Sequence, residues 1–303
     1  MALSTIKTAS IADDAITANK IINDGNLGVR NLIINGAMQV WQRGTSQTTS
    51  GGYGADRFWM SNATSASRST DVPSGFIYST KLTYSASVMS IGQPIELSAT
   101  GNSSPMVSGE SVTLSFYAKV DSGTEAFTAG INFRDSKFSA TNQSSFTAIG
   151  GSGFTATTSW QRFTKTYTVP SVNGTNVLAG LEIGNIDKDF YITGVQLEVG
   201  ETATPFEHRI FGDELQRCMR YYEKSHLDCQ YFMNGSSGAQ VQRQTNYFQV
   251  QKRASATLTQ TVDHADGSAT VGNVGGNIDG ITHSFSGSDN QRVAFSWTAD
   301  AEL

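Results

Sequence analysis

The sequence has few charged residues, few prolines and only two cysteines among its 303 residues. Cys218 and Cys229 are too few for a disulfide framework, and Cys218 lies on the apolar side of a short helical pattern, so we expect a buried thiol there. The net charge of −5 argues against a general affinity for nucleic acid. The sequence contains no run of about 20 apolar residues that could span a bilayer, and it does not begin with a signal-peptide pattern. We therefore expect no membrane insertion.

Signatures of catalysis and of metal binding are also scarce. The four histidines are His208, His226, His264 and His283, and they do not have the spacing of metal ligands. The sequence contains neither a phosphate-binding glycine loop nor a nucleophile elbow. The cluster from Asp263 to Gly267 mixes a histidine with carboxylates, as a metal or sugar-hydroxyl site would, but Asp-Gly is a turn dipeptide and we favour a polar turn. We predict no catalytic residue, no metal site and no cofactor.

Short alternating segments, separated by clusters of Gly, Ser and Asn, dominate residues 31–209. In the clearest case Val112, Leu114, Phe116, Ala118 and Val120 alternate with Thr, Ser, Tyr and Lys, which is the pattern of a strand with one buried face. Similar segments occur at 32–41, 76–84, 91–97, 127–133, 163–169 and 177–183. This spacing predicts an all-β sandwich or barrel, and we choose a jelly roll.

The stretch from Phe190 to Tyr222 combines a strand with a helix. Val195, Leu197 and Val199 alternate with polar residues up to Gly200, and an extended Ala-Thr-Pro-Phe segment follows. The apolar period then changes, because Leu215, Cys218, Met219 and Tyr222 are spaced as one face of a short helix. One domain therefore closes here, and a helix leads into the next.

Two motifs carry a resemblance to a known family. The run NLIINGAMQVWQRG followed by YGADRFW, and the run GVQLEVGETATPFEHR, resemble the opening and closing segments of the β-sandwich in bacteriophage tail fibre and receptor-binding proteins, particularly those of cyanobacterial and marine phages. The helix motif ELQRCMRYY follows in the usual order. The same two strands also resemble those of jelly-roll carbohydrate-binding modules. Those modules often carry a calcium beside an acidic pair, but this chain has Thr193 and Gly194 there, so we predict no calcium.

Residues 1–30 form a distinct segment in which isoleucines recur every five residues, at Ile6, Ile11, Ile16 and Ile21. Five is neither the heptad of a coiled coil nor the period of a single helix, and one copy cannot bury four isoleucines alone. One interpretation is a disordered leader with a chance repeat. We favour an oligomeric tail-attachment segment, a trimeric stalk, as the family resemblance implies.

These observations predict four parts: the attachment segment 1–30, the jelly roll 31–209, a linking helix 210–224 and a small C-terminal β domain 225–303. In the last part, strands are expected around residues 247–250, 256–262 and 293–297, with a loop region from Gly267 to Gly287. The C-terminal domain is interpreted as the tip of a fibre.

The favoured hypothesis is a non-enzymatic, homotrimeric tail fibre-type protein of the virion, made in the host cytoplasm, which binds host surface polysaccharide and other tail proteins. A sugar is held by aromatic faces and planar polar groups. Trp41, Trp59 and Trp160 are expected in the core, with Asp56–Arg57 as a brace. The candidate glycan-binding residues are Tyr53, Tyr231, Tyr247, His264 and His283. The alternatives are a structural connector or decoration protein that binds only virion proteins, and a capsule-degrading enzyme with carboxylates shared across a trimer.

Overall fold

The structure is a computed structural model that describes residues 30–96, 106, 109–134, 147–169, 178–225, 229–232, 240–288 and 290–302. The predicted attachment segment with Ile6, Ile11, Ile16 and Ile21 lies outside the described residues. Within them the chain is almost entirely β, and the prediction of an all-β fold built around a jelly-roll sandwich is confirmed.

The sandwich consists of two antiparallel sheets formed by residues 46–199. The first sheet contains, in spatial order, β1 (Ser46–Gln47), β3 (Ser65–Ser69), β4 (Ser79–Thr83), β11 (Phe190–Val199), β6 (Ser111–Val120) and β9 (Gln161–Thr168). The second sheet contains β2 (Trp59–Ser61), β5 (Met89–Glu96), β10 (Leu178–Ile186), β7 (Thr124–Arg134) and β8 (Thr147–Thr157). The chain crosses repeatedly between the two sheets, and apolar residues of both sheets form one hydrophobic cluster.

The apolar and polar residues of β6 alternate because one face of the strand points into the core and the other points away from it. Its five apolar side chains point inward and are at most 1% exposed. Phe116 meets Phe127 of the opposite sheet edge to face, with ring centroids 6.0 Å apart. Such aromatic pairs add to the free energy gained by burying apolar area.

β11 carries a bulge at the position where calcium-binding modules have an acidic pair. The register of β11 against β6 shifts between Thr193 and Gln196, and Gly194 has φ +64°. Thr193 is fully buried, and its hydroxyl donates to the carbonyl of Tyr78. Both positions therefore serve the fold.

The strand predicted at residues 32–41 is wrong, because this segment forms bends and turns. Asn35 and Met38 have positive φ, which a regular strand does not permit. Side chains hold the segment in place of a ladder: the amide of Asn35 donates to the carbonyls of Val40 and Asp56, and its oxygen accepts the N–H groups of Gln39 and Val40.

The linking helix is shorter than predicted. α1 spans Phe211–Met219, and Tyr222–Lys224 already forms β12. Cys218 is 1% exposed and is not in a disulfide, which confirms the predicted buried thiol. Glu214 in the first turn of the helix is also buried, and its carboxylate accepts the backbone N–H of Asn35.

The C-terminal part forms two further sheets within residues 222–300. One contains β12 beside β18 (Arg292–Asp300), with β13 (Cys229–Phe232) and β15 (Thr257–Ala265) also paired to β18. The other contains β14 (Gln240–Tyr247), β17 (Gly280–Gly287) and β16 (Thr270–Gly276).

The predicted loop region from Gly267 to Gly287 is wrong, because β16 and β17 lie inside it. Ile281, His283 and Phe285 alternate inward and are all fully buried, while Thr282 and Ser284 face outward. The many Gly and Ser residues occupy the outer face and the turns, and they hid this period in the sequence. The polar turn predicted from Asp263 to Gly267 is shorter, because residues 263–265 belong to β15; the turn starts at Asp266, and Gly267 has φ +54°.

The two larger hydrophobic clusters among the described residues come from the parts of the chain before and after α1. The larger fills the sandwich, and the smaller is centred on Phe285, Phe295 and Trp297. Apart from the extent of the helix, the predicted boundaries of the four parts stay a prediction.

Candidate functional site

The Asp56–Arg57 pair joins the sandwich to the C-terminal part of the chain. Arg57 is 1% exposed, and its guanidinium pairs with the carboxylate of Glu302 and donates to the carbonyl of Pro94 at 2.6 Å. Its charged carbon also lies 3.5 Å from the ring centroid of Tyr221. These contacts occupy both terminal nitrogens of the guanidinium and fix the last described residues against the sandwich.

Asp56 completes this junction. One carboxylate oxygen accepts the backbone N–H of Gln42 at 2.8 Å, and the other accepts the side-chain amide of Gln42. The same amide donates to the carbonyl of Tyr222. Burial raises the pKa of Asp56, and the neighbouring Arg43 opposes that shift. The pair is therefore a brace, as expected from the sequence.

Tyr53 belongs to this junction and does not lie in an exposed loop. It forms a bridge with Trp59, and the guanidinium of Arg43 lies 5.0 Å from its ring centroid. Burial raises the pKa of its hydroxyl, although Arg57 and Arg43 oppose the shift. We therefore leave Tyr53 out of the candidate site.

The motif GVQLEVGETATPFEHR is a second structural link, between β11 and the segment that precedes the helix. Glu198 is 2% exposed and accepts both the N–H and the hydroxyl of Thr204. Glu207 accepts the backbone N–H of Asn31, and Arg209 donates to the backbone oxygen of the same residue. The motif thus stabilises the fold.

Of the three tryptophans expected in the sandwich core, only Trp59 is fully buried, at 2% exposure. Trp41 and Trp160 are half-buried. The indole N–H of Trp160 donates to Asp71 at 2.9 Å, and the ammonium of Lys119 lies 5.8 Å from its ring. Trp160 is therefore part of a surface cluster of paired charges.

Tyr231 and His283 contribute to the small core. Tyr231 stacks on Phe285 with ring centroids 4.3 Å apart and an interplanar angle of 5°. His283 is fully buried, its Nδ1–H donates to the side-chain oxygen of Gln260 at 2.6 Å, and burial lowers its pKa to about 4. His283 therefore cannot contact a ligand at the surface.

His264 lies on β15 and is exposed, but its imidazole already contacts a neighbouring carboxylate. Its Nε2 is 2.7 Å from Asp266, and this contact, with the N–H of Arg292, lowers the pKa of Asp266. His264 and Asp266 do not line the cavity described next.

Tyr247 is the predicted site residue that the structure places beside a cavity. Its side chain is 78% exposed at the end of β14. An open cavity of about 500 Å³ lies on this face of the sheet; its lining residues are Thr245, Tyr247, Gly275, Gly276, Asn277, Asp279, Gly280 and Thr282. The volume falls in the range of small-molecule sites. An exposed aromatic ring next to hydroxyl, amide and carboxylate groups can hold a sugar ring.

β-pairing assembles this cavity. Thr245 lies opposite Thr282 in the ladder between β14 and β17, and Tyr247 lies opposite Gly280. The hydroxyls of the two threonines are 3.0 Å apart. Gly280 is required there, because a Cβ would lie 2.7 Å from the carbonyl oxygen of Asn246. Asn277 and Asp279 were not among the residues predicted from the sequence, although the turn Asn-Ile-Asp-Gly could have marked them.

The described residues also bear on metal binding and on membrane insertion. Among the described residues, no group of three or more His, Cys, Asp or Glu side chains is placed to hold a metal ion. Within the same residues, no helix has the length and hydropathy needed to cross a bilayer.

Comparison with known proteins relates the sandwich to carbohydrate-binding domains. Residues 54–187, which include β2 to β10, match the family model described as carbohydrate binding domain. The match covers less than half of the chain and excludes β11, α1 and the C-terminal sheets. A search of curated proteins gives no significant match.

The solved structures to which this chain is similar include carbohydrate-binding modules and a bacteriophage protein. A CBM4 module is 18% identical with a TM-score of 0.35, over 55% of this chain and 98% of that chain. The CBM22-1 xylan-binding domain from Paenibacillus barcinonensis is 11% identical with a TM-score of 0.37, over 57% and 96%. The enzymatically active domain of tailspike protein 4 from bacteriophage CBA120 is 17% identical with a TM-score of 0.38, over 56% of this chain and 22% of that chain.

Proposed function

We propose that this protein is a non-enzymatic, glycan-binding protein of the phage tail fibre type that attaches a virion to surface polysaccharide of its host. The observation that carries the proposal is the open cavity beside the exposed ring of Tyr247. A tyrosine ring that is 78% exposed on a folded sheet leaves its apolar faces in water, and covering one face with a sugar removes that cost.

The match of residues 54–187 to a carbohydrate binding domain supports glycan binding by the chain as a whole. The cavity lies outside that span, in the C-terminal sheets. In this proposal the sandwich is the body of the protein, and the C-terminal sheets carry the contact with the host.

The assignment to a virion tail rests on the two sequence motifs that bracket the sandwich and on the isoleucine repeat. In this proposal residues 1–30 attach three copies to each other and to other tail proteins. A single shallow cavity binds a sugar weakly, and three copies on one fibre raise the apparent affinity through effective concentration.

The proposal is tested with full-length protein and an array of bacterial surface polysaccharides. We expect binding to at least one polysaccharide, and we expect Tyr247→Ala to weaken it at least tenfold because the stacking surface is lost. Phe232→Ala is the matched control, since Phe232 is also exposed, at 58%, in the C-terminal sheets and does not line the cavity.

Two outcomes would contradict the proposal. Binding that Tyr247→Ala leaves unchanged would place the glycan site elsewhere. A folded protein that binds no polysaccharide, but binds purified tail proteins, would favour the structural connector.

A further inference from the structure

The charge of the cavity beside Tyr247 limits which sugars it can hold. Among its described lining residues, Asp279 is the one charged group, and its side chain is exposed. The other lining residues are glycines, threonines, a tyrosine and an asparagine. A ligand that carries a carboxylate, sulfate or phosphate would therefore meet a negative charge that no lining cation balances.

The backbone N–H groups of the turn do not compensate for this charge. The side-chain oxygen of Asn277 already accepts the N–H of Asp279 at 2.8 Å and the N–H of Gly280 at 3.1 Å. Consecutive N–H groups in a turn can form an anion-binding nest. Here Asn277 occupies these two donors, so an anionic ligand would have to displace its side chain.

Several acceptor positions remain on Asp279 and on the two threonines of the lining. A carboxylate offers about four acceptor positions, and Gln251 takes one on Asp279 by donating its side-chain amide at 2.9 Å. The hydroxyls of Thr245 and Thr282 share one hydrogen bond and keep further acceptor capacity. Hydroxyl groups of a sugar would donate to these positions.

We infer that the cavity binds uncharged, hydroxyl-rich sugars, with one sugar face on Tyr247 and hydroxyl groups donating to Asp279, and that it discriminates against uronic, sialic and phosphorylated sugars. This inference rests on the proposed function, because it names the ligand class of the same site. The mildly acidic chain, with a net charge of −5, acts in the same direction.

Arg243 provides the contrasting case. It lies two residues before Thr245 on β14, so it is on the same face of the sheet, and it is exposed, but it does not line the cavity. If the surface bound acidic glycans, this arginine would be the cation in position to hold them.

The test uses full-length protein and calorimetric titration with paired probes: methyl glycosides of glucose and galactose, and the matching glucuronide and galacturonide. We expect the preferred neutral glycoside to bind about two- to fivefold more tightly than its uronide, the range that repulsion by one exposed carboxylate supplies. Asp279→Asn should weaken binding of the neutral sugar and reduce the discrimination, because the carboxylate is both a strong acceptor and the source of repulsion. Arg243→Gln should change neither value.

Other outcomes separate this inference from the function on which it rests. Tighter binding of a uronide, lost in Arg243→Gln and in Tyr247→Ala, would overturn the ligand class while leaving glycan binding at this surface intact. If no neutral glycoside binds at millimolar concentration, the inference also fails. If Tyr247→Ala leaves polysaccharide binding unchanged, the proposed site itself is wrong.

Discussion

Arg57 is a buried residue that connects the sandwich to the C-terminal part of the chain. It is a buried cation whose partners come from three distant parts of the chain: Glu302, the carbonyl of Pro94 and the ring of Tyr221. A buried charge left without its partner costs far more than a broken surface pair.

Glu302→Ala should therefore lower the free energy of unfolding by about 3–5 kcal/mol, because it leaves Arg57 buried without its carboxylate. The measurement is urea denaturation of the full-length protein. Glu302→Gln is the control, since it keeps a hydrogen-bond acceptor and should lose less. A change below about 1 kcal/mol for the alanine variant would show that the pair behaves as an exposed salt bridge.

His283 gives the C-terminal core a dependence on acid. It is packed against the rings of Phe285 and Phe295, with centroids 6.3 and 4.6 Å away, and its Nε2 has no hydrogen-bond partner among the described residues. Burial lowers its pKa to about 4, below the value of about 6.5 in an unfolded chain. As the pH falls, the histidine is therefore protonated in the unfolded state before it is protonated in the folded state.

We expect stability to be highest above pH 6.5 and to fall as the pH drops from 6.5 to 4, by at most about 3 kcal/mol from this residue. Below pH 4 both states carry the proton and this contribution levels off. Denaturation of wild type and His283→Gln at a series of pH values checks this, because the variant should lose that part of the pH slope. Equal slopes would contradict the assignment.

At the scale of elements, the alternation of apolar and polar residues predicted strands that have one face on the hydrophobic core and the other face away from it. It identified β6 and β11 because polar residues mark their outer faces. It failed at residues 32–41, where the apolar residues are buried or half-buried but hydrogen bonds of asparagine side chains take the place of backbone pairing between strands. It also failed at β16 and β17, where glycine and serine on the outer face resemble a loop.

The bulge at Gly194 is an element whose geometry depends on one residue. Its φ is +64°, and a Cβ would lie 2.6 Å from the ring of Phe76. Gly194→Ala should lower the free energy of unfolding by about 1–3 kcal/mol through backbone strain and this clash.

Thermal and urea denaturation measure this loss. Gly153→Ala is the control, because Gly153 also lies in the sandwich but a Cβ there meets nothing within 4 Å. If both variants lose the same stability, the bulge does not require glycine.

At the scale of the whole molecule, the sandwich and the C-terminal sheets share a braced junction. Removing residues 225–303 would delete Glu302, so a truncated protein is a poor test of where a glycan binds. Point variants at the surface leave the junction intact and are the better test.

The candidate site was only partly predictable from the sequence. Tyr247 could be singled out as an aromatic residue near polar segments. Asn277 and Asp279 reach it only because β14 pairs with β17, and that pairing was hidden by the misread loop. The buried positions of His283 and Tyr231 likewise depend on tertiary packing that their sequence neighbours do not reveal.

The proposed trimer is also a property of the whole molecule. Because one chain cannot bury Ile6, Ile11, Ile16 and Ile21 alone, we expect full-length protein to have three times the chain mass in light scattering. Replacing all four isoleucines with serine should give a monomer with an unchanged near-ultraviolet circular dichroism spectrum. A monomeric wild type would contradict the stalk interpretation.

A crystal structure of the full-length protein with an oligosaccharide released from a polysaccharide that it binds would show where the glycan is held. We expect a sugar ring stacked on Tyr247, with a hydroxyl within hydrogen-bonding distance of Asp279. A sugar bound to the sandwich, with the cavity beside Tyr247 empty, would contradict this expectation.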